Sequence, residues 1–169
     1  MRLMMAALFI LTLGSAQAFA QTPVEAMLRD AQHLALCIRA LDTACVIELS
    51  DVPSFRLLSS QPYDFAESQA RFYTAMRDRG WVYSRFDVNA PAEVFRDGTL
   101  MYAFVPFVST QNFGGQLHTM QGYEIALSRD GGVSWKFVET GAGMATEQVR
   151  LIVPGYAGQP LPITLVADP

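Results

Sequence analysis

"SRDGGVSW", Ser128–Trp135, is the stretch whose reading decides the fold. An aspartate followed by two glycines between apolar runs is hairpin chemistry. The carboxylate ties up nearby backbone N–H groups, and glycine takes a positive φ at little steric cost. The flanking runs "YEIAL" and "KFVE" read as its two strands. Ser128, Asp130, Gly131 or Gly132, and Trp135 therefore form a structural turn with the indole packed beneath it. Setting Leu127 opposite Trp135 places Ile125 opposite Phe137 and Ala126 opposite Lys136. Glu124 then falls diagonal to Lys136, as an exposed ion pair worth about 0–1 kcal/mol.

The same eight residues fit S-x-D-x-G-x-[ST]-W, the Asp-box of sialidases and other secreted glycan-active proteins. That motif staples a turn and is not itself catalytic machinery. A sialidase propeller needs several copies over a much longer chain, one set per blade. One copy is present here, so the glycosidase reading is set aside.

Toward the C terminus, the polar, glycine-rich stretch from Thr140 to Ala145 breaks the strand pattern. "VRLIVP" reads as an edge strand or buried strap, and Gly155 to Pro169 as a loosely packed tail. Toward the N terminus, "GQLHTMQGYEIALS" is a long strand in which Gly122 permits bending. "TLMYAFVPFVS" is apolar on both faces, as a strand covered on two sides must be, with Pro106 at a bulge or an unpaired position. Arg96-Asp97-Gly98 joins it to a short strand at Ala92–Phe95. Trp81 to Val88 alternates, with Trp81, Tyr83, Arg85 and Asp87 on one side.

Three helices precede these strands. Val24, Met27, Leu28, Ala31, Leu34, Ala35 and Ile38 recur at three and four, behind a capping box at Thr22 and Glu25. Asp42 caps a short helix that runs through Leu49, with Pro53 beyond its end. Asp64 and Glu67 open a third, which turns Phe65, Phe72 and Met76 inward, flanked by Ala66, Ala70 and Tyr73, and stops at Gly80. Helices followed by an antiparallel meander define an α+β domain.

Residues 1–20 read as a signal peptide: Arg2, an apolar run from Leu3 to Leu13, and Ala18-Phe19-Ala20 before the cut. The run is shorter than the roughly 20 residues that span a bilayer. Residues 21–169 then form a single domain, exported to the periplasm or medium of a bacterium, with no membrane attachment after cleavage. Losing Arg2 takes the formal charge from -4 to -5, and the remaining cations are scattered. That distribution argues against nucleic-acid binding. Cys37 and Cys45, the only cysteines, are expected to pair in an oxidising compartment. Two histidines far apart in sequence give no metal-site spacing, and no cofactor motif is present.

"YEIALSRDGGVSWKFVE", with "LIVPG" some dozen residues on, resembles a family of small secreted bacterial proteins with a matching hairpin after two or three helices. Those proteins look like members of the nuclear transport factor 2-like, cystatin-related superfamily. "LCIRALDTACVIELSDVPSF" is similar to that superfamily's opening. The resemblance implies a cone, with N-terminal helices packed in the concave side of a curved antiparallel sheet. It implies no agreed activity.

Two functions follow as expectations. One is a noncatalytic binding module whose concave pocket draws on Tyr73, Met76, Tyr102, Phe104 and Met120, with Trp135 as a further aromatic, for a small apolar ligand or a protein partner. A second copy of the chain, giving a homodimer, is left open as that partner. The other is a small hydrolase or isomerase using Asp87, His118 or Glu124. It requires two of those side chains within hydrogen-bond reach in one pocket.

Overall fold

The structure, a computed structural model, describes residues 21–59, 62–140, 143–162 and 165–167. The signal-peptide reading of residues 1–20 lies outside the described residues. Four helices come first: α1 (Pro23–Ala40), α2 (Thr43–Leu49), α3 (Val52–Leu58) and α4 (Phe65–Asp78). Then come β1 (Val82–Val88), β2 (Val94–Asp97), β3 (Leu100–Phe113), β4 (Gln116–Ser128), β5 (Lys136–Glu139), helix α5 (Thr146–Ile152) and β6 (Leu165–Ala167). The class is α+β.

Local chemistry sets the helix starts. The Thr22 hydroxyl accepts from the Glu25 N–H, and the Glu25 carboxylate accepts from the Thr22 N–H. Asp42, Asp51 and Asp64 cap α2, α3 and α4 through their carboxylates. Helix α3 is an addition to the three helices expected, since Pro53 reads from sequence as lying beyond a helix end. With Asp51 as cap, that proline instead occupies the first turn, where no N–H is needed.

The long strands β3 and β4 form the sheet's spine, paired antiparallel from Met101↔Ser128 to Phe113↔Gln116. Each outer edge carries two short strands in series, β1 and β2 on β3, β5 and β6 on β4. Pro106 sits in the interval between the two partners of β3. Its carbonyl accepts from the Asn89 N–H, so its ring nitrogen faces that same interval, where no ladder donor is needed. Of the bulge or unpaired position expected for Pro106, the structure shows a side away from β4 that has no strand partner, while Tyr123 stands opposite it on β4.

Both faces of the sheet are covered. On the inner face, Met101, Ala103, Val105, Phe107, Ala126 and Phe137 pack against Met27, Ala31, Leu34 and Ile38 of α1, and against α2 and α4. On the outer face, Tyr102, Phe104, Tyr123, Ile125, Leu127 and Val138 pack against α5 and the residues after it.

The structure departs from the expected segments in several places. "VRLIVP" is mostly helix α5 rather than a strand; Val149, Ile152 and Val153 bury its inner side. The tail expected to be loose is anchored by Tyr156, which is 4% exposed and donates its hydroxyl to Gln159 O. The Gly155 N–H donates to Asp97 at 2.8 Å, and β6 pairs with Thr119–Gln121 of β4. Phe72, expected to face inward, is half exposed, and Val24 is also exposed. In β1 the register shifts between Tyr83 and Arg85, a bulge that leaves Tyr83 packed on the inner core before the shift and Phe86 after it.

Cys37 and Cys45 are bridged, with Cα atoms 5.7 Å apart, and tie the end of α1 to α2. Closing so short a loop contributes about 2 kcal/mol. The two sulfurs lie beside His33, whose Nε2 is 3.5 Å from Cys45 Sγ. Bonded to each other, they offer no thiolate to a metal.

Candidate functional site

The turn at Ser128–Trp135 behaves as its sequence requires. Asp130 Oδ1 accepts from the Ser128 hydroxyl at 2.8 Å and from the Val133 N–H at 3.1 Å. Its Oδ2 accepts from the Ser134 hydroxyl at 2.6 Å. These bonds, the Ser134 hydroxyl's above all, hold the Asp130 carboxyl far below the ordinary range. Gly132 is needed twice over: φ is +94°, and a Cβ there would meet Pro23 at 2.5 Å. Trp135 is 1% exposed, and its indole N–H donates to Gly132 O.

One contact of this turn resets the hairpin. The Trp135 backbone N–H donates to Asp30 of α1 at 3.0 Å, so it is not available to β4. The ladder starts one residue later: Leu127↔Lys136, Ala126↔Phe137, Ile125↔Val138 and Glu124↔Glu139. The expected register, with Leu127 opposite Trp135, is therefore wrong by one. The surface ion pair of Glu124 with Lys136 falls with it. Lys136 instead donates to Glu48 O, while Glu124 stands directly opposite a second carboxylate.

That carboxylate pair lies on the inner face, in a cavity of about 210 Å³ between the sheet and α1 and α4. Phe72, Tyr73 and Met76 of α4, Trp81, and Tyr83 and Phe86 of β1 form much of its wall. Phe107 and Gln111 of β3, with Met120, Glu124 and Glu139, complete its sheet side. Gly122 shapes it. A Cβ there would lie 2.8 Å from Phe107, so the missing side chain lets that ring lie across β4 between Met120 and Glu124.

The electrostatics follow from burial without a counter-ion. Glu124 is 3% exposed; desolvation first, then the charge of Glu139, push its carboxyl well above the ordinary range. Burial raises Glu139 from 4.5 to about 7. Tyr73 and Tyr83 are raised beyond their usual range, by burial and then by the nearby carboxylates, and stay neutral phenols. Glu124 Oε2, Glu139 Oε1 and Trp81 Nε1 are buried with no hydrogen-bond partner among the described residues. Buried polar atoms are normally paired with protein or ordered water, and these three border one cavity.

The residues singled out from sequence divide unequally. Tyr73, Met76, Met120 and Glu124 line the cavity. Tyr102 and Phe104 do not; alternation along β3 turns them to the outer face, where Tyr102 accepts from Gln159. Trp135 is sealed in the core beside the turn. Asp87 is half exposed, pairs with Arg85 and stands outside the cavity. His118 shares the inner face with Glu124, opposite Gln111, but lies six residues along β4. At about 3.3 Å per residue that is roughly 20 Å, so His118 and Glu124 do not converge. The trio Asp87, His118 and Glu124 is thus no catalytic constellation. Glu139 is hidden from the sequence by the one-residue slip in register, and Trp81 shows only as an aromatic strand start.

No family model, curated protein or solved structure gives a significant match to this chain. Its function has to be read from its own residues.

Proposed function

We propose that the chain is an exported, noncatalytic small-molecule-binding domain whose guest occupies the cavity over Glu124 and Glu139. The observation that carries this reading is the set of unpartnered buried atoms, Glu124 Oε2, Glu139 Oε1 and Trp81 Nε1. A ligand with a polar end fits them; the purely apolar ligand expected from composition would leave each one unpaired. The volume is below the roughly 300 Å³ of drug-sized sites, so the guest is compact. Helices followed by an antiparallel sheet with a pocket between them support kinship with nuclear transport factor 2-like proteins. The Cys37–Cys45 bridge supports an oxidising compartment. Among the described residues no helix is long and apolar enough to cross a membrane.

A second reading, proton-transfer catalysis in a small hydrolase or isomerase, is favoured by one observation. Glu139 is raised to about 7 and so is poised to exchange a proton near neutrality.

Native mass spectrometry of the chain after expression with export tests the binding reading. The expected result is a noncovalent adduct that is absent from the Glu124→Gln/Glu139→Gln double variant. The bare mass alone, or an adduct equally retained by the variant, contradicts it.

A further inference from the structure

We propose that the cavity over Glu124 and Glu139 selects a compact organic ammonium ion. This rests on the ligand-binding reading and narrows it to one chemistry. Among the described residues the lining contains two carboxyl groups and no lysine, arginine or histidine to neutralise the pair. The two glutamates are direct cross-strand partners. Directly opposed residues have Cβ atoms about 5 Å apart, close enough for one ammonium group to meet both carboxylates. Around them stand the rings of Phe72, Tyr73, Trp81, Tyr83, Phe86 and Phe107, whose faces attract cations.

Other guests fit less well. An anion meets like charge, and an apolar molecule leaves Glu124 Oε2 and Glu139 Oε1 bare. Calcium or magnesium wants about six or more oxygen ligands, which a mainly aromatic wall does not supply. An ammonium group satisfies the carboxylates with its charge and the rings with its C–H or N–H surface.

Cation binding also selects the ionised carboxylates. The groups facing the pair are Tyr73 from α4 and Tyr83 from β1, both neutral, so the pair itself sets the pH response. Glu139 titrates at about 7, and affinity should rise across that point as the carboxylate forms.

Isothermal titration calorimetry at about pH 6 and about pH 8 decides the matter, those values bracketing the titration. Choline and propylamine serve as cationic probes, against the carbon analogue of choline and propanol as neutral counterparts. At the higher pH at least one cation should bind about tenfold or more tighter than its counterpart. Its affinity should fall severalfold at the lower pH. Glu139→Gln, whose fold is checked by circular dichroism, should weaken the cation about tenfold and flatten the pH response. Equal or tighter binding of the neutral probes overturns the ammonium inference and leaves the binding reading standing. Binding of no probe at either pH overturns the ammonium inference, and the adduct experiment then judges the binding reading separately.

Discussion

Moving the protein from about pH 5 to about pH 8 should lower its unfolding free energy by more than about 2.5 kcal/mol, and Glu139→Gln should remove the roughly 2.5 kcal/mol of that fall that Glu139 carries, leaving the part due to Glu124. In the unfolded chain Glu139 ionises near 4.5; in the fold, burial raises it to about 7. Between those values the folded state holds the proton that the unfolded state has lost. A state that binds more protons is favoured at low pH, so stability is highest below the unfolded value and declines as pH rises to the folded one. Glu124, pushed well above its ordinary range by desolvation and by Glu139, adds its own decline in the same window and extends it further up the scale. The glutamine variant keeps the shape and cannot ionise. Urea denaturation at both pH values measures the effect. Stability that is flat or rising through this window would mean that the pair is hydrated or neutralised by a group the fold brings nearby.

The second large effect is structural. Trp135→Ala should cost about 3–5 kcal/mol, the range for emptying a buried aromatic site. Trp135 is 1% exposed and lies where the hairpin turn meets α1. Its indole donates to Gly132 O and its backbone N–H to Asp30, so the ring fills the gap that these two bonds frame. Trp135→Phe keeps most of the apolar contact and loses one indole hydrogen bond, a smaller cost of about 1 kcal/mol. Denaturant melts of the two variants give the comparison. A loss below about 1 kcal/mol for the alanine variant would show that the turn is not a fold determinant.

Much of the architecture was written locally in the chain. Thr22 with Glu25, Asp42, Asp64 and Gly80 mark helix boundaries through bonds that span only a few residues, and the structure makes those bonds. The turn from Ser128 to Ser134 is the same kind of feature, because Asp130 finds its partners within four positions. The two-sided burial of β3 was legible from its unbroken apolar run.

Long-range partners set what was not legible. The β4–β5 register depends on Asp30, on another element a hundred residues away, taking the N–H of Trp135. Because a strand's side chains alternate, that one-residue slip exchanged Lys136 for Glu139 as the neighbour of Glu124 and turned a surface ion pair into a buried carboxyl pair. The bulge after Tyr83 likewise returned Tyr83 and Phe86 to one core, which strict alternation had separated. Tyr102 and Phe104 went to the outer face for the plain reason of their parity on β3. Helix α5 carried a helical spacing in Val149, Ile152 and Val153, masked by the β-branched look of the segment.

Glu124 and Glu139 face each other across β4 and β5 with no counter-ion among the described residues lining their cavity. Carbon-detected NMR titration of the glutamate side-chain carboxyls, with Glu124→Gln and Glu139→Gln to assign them, tests this arrangement most directly. The account predicts one carboxyl, Glu139, titrating at about 7, Glu124 well above the ordinary glutamate range, a downward move of Glu124 in Glu139→Gln, and little change of Glu139 in Glu124→Gln. Titration of both near the ordinary value of 4.5 would contradict it.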